Sequence, residues 1–367
     1  MPGRSLGLPI GYNRSSCGYC RAENQEKQER SFSYGFLAYR LEPDHYQTLL
    51  DHGWRRSGDY VYKPDNSRTC CPQHTIRLDA QAYRPSKAQR RALNQLYWTL
   101  CGRPKPARWK GKWGSTGAYD VEHHVRLVMH DDSSDIVDLS DSSWPPLEAP
   151  YDSIPNERIK LSLRRATSTD EKYALFRRYQ KHIHREAEDE ISSRRGWEQF
   201  LVRAPFPDEG DGQDKAHAFF GVYHHEYRYK GQLLAVGVLD ILPHCVSSVY
   251  FFYEPAYADW ELGKISAMVE ICLTKALSRR ISSLHWYYMG TSYRLPEPLP
   301  PGYLNFAAVQ RKASQWLVLD TSTFPPLLTT FEVICTRSSH EMSHAISSFF
   351  SALGVSIGSL IVALACD

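Results

Sequence analysis

The opening stretch, MPGRSLGLPIGYNRSS, lacks the apolar core of about seven or more residues that a secretory signal needs. The thiols are therefore expected in a reducing compartment, cytoplasmic and by extension nuclear, where structural disulfides do not persist. Cysteine is scarce, at 9 of 367 residues, so those that stand close together carry the information. Acidic residues are scarce at the front: residues 1–110 hold 19 Lys and Arg against 9 Asp and Glu, a balance of +10. The remainder holds 25 against 32, or −7. Such a split suits a front part that meets a polyanion, with a solvated basic face as the alternative. A long run without charge is missing until Ala345–Cys366. That run could span a bilayer by length, but five Ser dilute it. It is read as an atypical extension, and membrane contact is not expected elsewhere.

What is present divides the chain into five parts. Residues 1–16 are expected to be disordered, 17–101 to form a cysteine-rich module, and 102–155 to be a linker or insertion. Residues 156–328 form a second domain, and 329–367 the apolar tail. In the module, LEPDHYQTLLDHG reads as a helix and DYVYKP as a short strand. RPSKAQRRALNQLYWTLCG reads as a second helix capped by Ser86. Within the linker, YDVEHHVRLVMH suggests a strand. Beyond it, RIKLSLRRA reads as a strand, and Ser168 and Glu171 stand at capping-box spacing before a helix. LLAVGVLDIL, SSVYFFYEP and SLHWYYMG are further strands, and LGKISAMVEICLTKAL is an amphipathic helix. This order indicates a mixed α/β layer sandwich.

Cys17 and Cys20 form a C-x-x-C pair, and Cys70 and Cys71 are adjacent. Several thiolates are stable together only around a cation, so the four are candidate ligands of zinc or of an iron–sulfur cluster. Buried free thiols, or one reactive thiol among bystanders, are the alternatives.

CGYC, GWRRSGDYVYKP, TCCPQHTIR and RPSKAQRRAL, in that order, resemble the N-terminal domain of the arginyl-tRNA–protein transferases. EKYALFRRYQKHIH, the stretch from HHEYRYKGQ to VYFFYEP, and SSLHWYYMG resemble the same family's C-terminal domain. The resemblance implies transfer of arginine from charged tRNA to the α-amine of proteins beginning with Asp, Glu or oxidised Cys. The product would be marked for ubiquitin-dependent degradation and would engage the ubiquitin ligase machinery. It also implies an acetyltransferase-like (GNAT) catalytic domain behind a small cysteine-rich domain. The four cysteines would hold an iron–sulfur cluster, with zinc the alternative. TSYRLPEPLPPGYLNF departs from the family pattern, and the apolar tail is foreign to it.

An aminoacyl ester is already activated, so its aminolysis needs Arg-tRNA as co-substrate and no ATP. Asp240, which interrupts an apolar strand, could orient the amine or hold the arginyl guanidinium. His224 and Tyr227, in HHEY, are candidates for proton handling. Ser247, Ser248, Tyr250, Tyr287 and Tyr288 could line the cleft. The helix start at Leu262–Gly263 could hold an acceptor-end phosphate. Arg55, Arg56, Lys63, Arg77, Lys87, Arg90 and Arg91 form a basic set for tRNA, interleaved with Trp54, Tyr60 and Tyr62. Two other readings compete: a catalytically impaired protein that binds tRNA or protein N-termini, and an N-acetyltransferase. EPAYADWELGKIS is acidic and has one glycine, which argues against an acetyl-CoA pyrophosphate loop.

Overall fold

The structure, a computed structural model, describes residues 5–17, 30–103, 119–131, 154–207 and 219–292, with the backbone of three short segments at 307–309, 316–318 and 331–333. Two sheets organise them. The smaller has the order β14-β1-β2-β4-β3, with β1 Ser5–Ser15, β2 Ser31–Arg40, β3 Arg55–Ser57, β4 Tyr60–Pro64 and β14 Phe331–Val333. Helix α1, Pro43–Asp51, connects β2 to β3.

The segment expected to be disordered is thus an ordered strand over Ser5–Ser15. Its register with β2 runs from Leu6↔Arg40 to Ser15↔Ser31. It escapes a hydropathy reading because it lies near a sheet edge: pairing holds it, while Ile10 and Tyr12 stay exposed. Pro9 is tolerated there because β14 pairs only with Ser5–Gly7, so the missing N–H leaves no gap on that side.

The larger sheet has the order β12-β13-β5-β11-β10-β9-β8-β7-β6. Its strands are β5 His74–Asp79, β6 Met129–Asp131, β7 Ile159–Arg165, β8 Gly221–Tyr229, β9 Gln232–Ile241, β10 Cys245–Tyr253, β11 Trp286–Ser292, β12 Ala307–Val309 and β13 Trp316–Val318. One face carries α2 Lys87–Leu100, α3 Val121–Val128 and α6 Leu262–Ser278; the other carries α4 Asp170–Tyr179 and α5 Arg194–Leu201. Covered on both faces, β9 is buried almost throughout, which is why its sequence is continuously apolar rather than alternating. Strand β5 comes from the front third, yet it pairs with β11, at Trp286↔Asp79 through Ser292↔His74.

Local signals account for most elements. Ser86 caps α2 in a reciprocal capping box with Gln89. Two expectations need correction. YDVEHHVRLVMH is mainly helix α3, because the Asp120 side chain accepts from the His123 N–H and starts a turn; only Met129–Asp131 is strand. The cap of α4 is Thr169, not Ser168. Ser168 Oγ instead donates to Glu198 Oε1 at 2.5 Å and accepts from Arg194, tying α4 to α5. No helix among the described residues is long and apolar enough to cross a membrane. The tail 329–367 lies outside the described residues apart from β14.

Candidate functional site

Three registers place Asp240 (β9), Ser247 (β10), Tyr288 (β11) and Arg77 (β5) side by side in one row of the larger sheet. Asp240 is fully buried. It is gripped by Arg56 of β3, whose Nε donates to Oδ2 at 2.8 Å and whose Nη2 donates to Oδ1. Arg56 Nη1 donates to the carbonyls of Gly58 and Arg203 at 3.3 and 3.4 Å, and the guanidinium lies 5.4 Å from the Phe206 ring centroid. Burial works against its charge, but Asp240 outweighs that and raises its pKa. Arg56 therefore does not serve as a surface phosphate contact. The bidentate guanidinium expected at Asp240 is the chain's own.

At the next rungs, Tyr288 donates its hydroxyl to Asp51 Oδ1 and accepts from Arg77 Nη1 at 3.2 Å. Arg77 stacks 4.1 Å from the Trp286 ring. Arg55 Nη2 donates to the Gly290 carbonyl at 3.1 Å. Arg55, Arg77 and Tyr288 are thus brought together.

The parallel ladder between β10 and β11 has only three rungs, Cys245↔Trp286, Val246↔Tyr287 and Ser247↔Tyr288. Then the strands part. β10 continues against β9 with a register shift between Ser248 and Tyr250, and β11 continues against β5 with a shift between Tyr288 and Thr291. Gly290 allows the β11 irregularity through its φ of 64°. Ser248 and Tyr250 stand on the β10 side of this opening, partly exposed. Tyr250 donates to Gln180 Oε1 at 2.9 Å, from a π-helical turn, Gln180–His184, that ends α4.

The helix-side face below the opening holds Glu270 of α6, fully buried. Tyr287 donates to Glu270 Oε2 at 2.6 Å, and the Ser248 hydroxyl lies close enough to this carboxyl to lower its pKa. Burial pushes the Glu270 pKa up to about 7 against the lowering effect of those two hydroxyls. Tyr227 faces this side, beside His225, with ring centroids 5.1 Å apart. Sequence reasoning passed over Glu270 and His225. The available signal was a lone carboxylate inside the apolar stretch SAMVEICL, on a helix whose flanks are all covered.

His224 points to the opposite face. Its Nδ1 lies 3.0 Å from Lys172 Nζ and its Nε2 3.0 Å from the Leu201 carbonyl. Lys172 also pairs with Glu226 Oε1 at 2.9 Å. Burial, then the Lys172 charge, lower the His224 pKa to about 4. The neutral ring accepts from the lysine and donates to the carbonyl, so His224 is a fixed joint in the core. His224 and Tyr227 do not meet, because an odd spacing along a strand puts them on opposite faces.

The sulfurs of Cys17, Cys70 and Cys71 lie within 4.8 Å of one another; Cys20 falls outside the described residues. Tetrahedral zinc with Zn–S bonds near 2.3 Å sets its sulfurs about 3.8 Å apart, so the three fit a shared thiophilic centre. Their convergence has local causes. Cys17 follows β1, and the loop after β4 is pinned to β2 where Thr69 Oγ1 accepts from Phe32 N at 3.0 Å and Cys70 N donates to the Arg30 carbonyl at 3.1 Å. Asn66 clamps the far end by pairing with the Gln73 backbone. Arg68, two residues before Cys70, lies 4.5 Å from the Phe32 ring.

The remaining basic residues are dispersed. Lys87 and Arg91 are exposed on α2, and Arg90 lies 5.7 Å from the Tyr119 ring. Lys63 is half-buried, and burial lowers its pKa to about 8. Tyr60 and Tyr62 stack on each other at 5.8 Å, whereas Trp54 is wholly in the core. At the α6 start, Glu261 occupies the cap position without a side-chain cap hydrogen bond and pairs with Lys264.

Residues 15–91 match the family model for arginine-tRNA-protein transferase, N terminus, and residues 171–294 the model for its C terminus. An arginyl-tRNA–protein transferase of Drosophila melanogaster is 27% identical, with 80% of this chain and 79% of that protein covered. One from Arabidopsis thaliana is 26% identical, over 78% and 70%. An aspartate/glutamate leucyltransferase of Pseudomonas entomophila is 25% identical, over 66% and 71%. The N-terminal match contains β5 and the C-terminal match contains β11, two strands that lie side by side, and with both halves present the chain belongs to the arginine-tRNA-protein transferase family.

Proposed function

We propose that the protein transfers arginine from arginyl-tRNA to the α-amine of proteins that begin with Asp, Glu or oxidised Cys. The observation that carries this reading is the joining of both family halves in one sheet, with Arg77 of one beside Tyr288 of the other next to the parting of β10 and β11. The acidic acceptor is supported by the sequence resemblance and by the name of the Pseudomonas relative, which pairs aspartate and glutamate with aminoacyl transfer. The GNAT-like reading rests on the β10–α6–β11 crossover with parallel strands that separate after three rungs.

In the reaction, the acceptor amine attacks the arginyl ester carbonyl, a C–N bond forms, and the bond to the tRNA ribose oxygen breaks. An α-amine has a pKa near 7.7–8.0, so a modest base frees its lone pair. The opening beside Ser248 and Tyr250 offers a place for the ester, and holding amine and ester together supplies much of the acceleration. Asp240 and Arg56 hold the walls of this site in register instead of touching substrate. Arg55, Arg77, Lys87, Arg90 and Arg91 take tRNA phosphates. Tyr227 remains on the helix-side face of the same opening.

Cys17, Cys70 and Cys71, with Cys20 as fourth ligand, would hold an iron–sulfur cluster, or zinc in its place. Bound there, the group would cross-link the end of β1 to the loop after β4 and organise the basic lobe. Arginylated products pass to the ubiquitin ligase machinery, in the cytoplasm and nucleus. The test is an acceptor panel: peptides beginning with Asp, Glu, oxidised Cys, Lys or Ala are given arginyl-tRNA carrying labelled arginine. Label confined to the first three supports the specificity, and equal labelling of all five removes it.

A further inference from the structure

Three buried side-chain atoms without hydrogen-bond partners gather on the helix side of the sheet: Glu270 Oε1, Tyr227 Oη and His225 Nδ1. Buried polar atoms are nearly always paired, so three in one place call for an explanation. Their neighbourhood is set by Gly237 of β9. A Cβ at Gly237 would stand 3.1 Å from Glu270 Oε1 and 3.7 Å from His225 Cβ, so a larger residue there would press on the carboxyl. The other carboxyl oxygen, Oε2, accepts from Tyr287 of β11, and the Ser248 hydroxyl of β10 lies close enough to the carboxyl to lower its pKa. These two strands are the pair that part, and Ser248 follows directly on the last rung. The carboxyl is sealed from solvent, while Ser248 is partly exposed at the opening.

We infer that Glu270 is the proton acceptor of the transfer reaction, acting through the Ser248 hydroxyl as a positioning residue beneath the substrate. This inference rests on the proposed arginine transfer. As the amine nitrogen bonds to the ester carbon, its proton passes to Ser248 Oγ while the Ser248 proton passes to Glu270. The same two transfers in reverse deliver that proton to the ribose oxygen as the C–O bond breaks, so no outside acid or base is consumed. Groups facing the carboxyl are Tyr287 from β11, Ser248 from β10, and Tyr227 and His225 from β8; Cys272 lies two residues further along α6 and acts on Tyr227. Burial holds His225 neutral, with its pKa lowered to about 4, and keeps Tyr227 and Tyr287 protonated. Glu270 alone among them changes charge near neutrality, where its value of about 7 lies. On the α3 side, Glu122 is engaged with Lys275 and Arg279.

The test compares single-turnover arginine transfer by the wild type, Glu270→Gln and Ser248→Ala across pH 5.5–9. General-base help is typically worth about 10²–10⁴-fold. Both variants are expected to lose at least about 100-fold at pH 7, with tRNA affinity and peptide KM little changed. Glu270→Gln should also lose the inflection near pH 7. A second readout does not depend on activity: the infrared difference between wild type and Glu270→Gln should contain a buried carboxylic acid band that converts to carboxylate around neutrality. If Glu270→Gln keeps its rate within about threefold and the same inflection while wild type transfers arginine, this inference falls alone. If the wild type transfers no arginine, the functional reading falls and takes it along.

Discussion

Arg56 and Asp240, 184 residues apart in sequence, form a bidentate ion pair inside the molecule, with neither side chain more than 1% exposed. One partner lies in the segment matched by the N-terminal family model and the other in the C-terminal match. The pair thus joins the smaller sheet to the part of the larger one beside which β10 and β11 separate. Desolvating two charges costs about as much as their attraction returns, so its role is to fix register more than to add net stability.

Removing one member leaves the other charged and buried. Asp240→Ala and Arg56→Ala are each expected to lower unfolding stability by about 3–5 kcal/mol. Urea titration followed by far-ultraviolet circular dichroism checks this. A double variant less destabilised than the sum of the singles shows the coupling; additive losses would remove it.

The histidine and glutamate shifts give opposite pH trends. The depressed His224 and His225 values mean that the unfolded chain binds more protons between about pH 4 and 6.5, so their contribution is lost as pH falls through that window. Glu270, raised from 4.5 to about 7, makes the native state bind more protons, so its contribution declines as pH rises from about 4.5 to 7. Glu270→Gln deletes only the second trend. Its stability relative to wild type is expected to rise across that window, by an amount on the order of 3 kcal/mol at the top. A difference that does not vary with pH contradicts the buried carboxyl.

Cys17→Ser and Cys71→Ser should each lower bound zinc or iron, measured by elemental analysis after anaerobic purification. Cys245→Ser should leave metal content unchanged, because Cys245 is buried in the core beside Gln47 and is not one of the three converging thiols. Equal metal content in all three variants would detach the thiols from any ion.

Charge reversal at Lys87 and Arg91, both exposed on α2, is expected to weaken arginyl-tRNA binding and to flatten its salt dependence. The slope of log affinity against log salt should decrease by roughly 1–2 for two lost phosphate contacts. Unchanged binding would return α2 to the status of a solvated face.

Patterns that repeat along a few residues were readable in advance. Ser86 announced α2 as its cap, and the apolar run of β9 announced a strand. Asp240 stood out as a charge within that run, but its partner could not be read, since the pairing depends on how two sheets meet. β1 was missed because a strand near the sheet edge draws its order from pairing more than from burial. α3 was missed because Val and His suggested a strand, while one capping aspartate decided for helix. Glu270 was hidden for the opposite reason. On an amphipathic helix a carboxylate is assigned to solvent, and only the packing of α6 between strands and helices buries it.

The most direct measurement is transfer itself. Purified protein is mixed with arginyl-tRNA carrying labelled arginine and with a peptide starting in Asp, free or N-acetylated, beside a parallel reaction with acetyl-CoA. Label should enter the free-amine peptide alone, with no acetyl transfer. Bound tRNA without labelled peptide, or acetyl transfer in its place, would contradict the account.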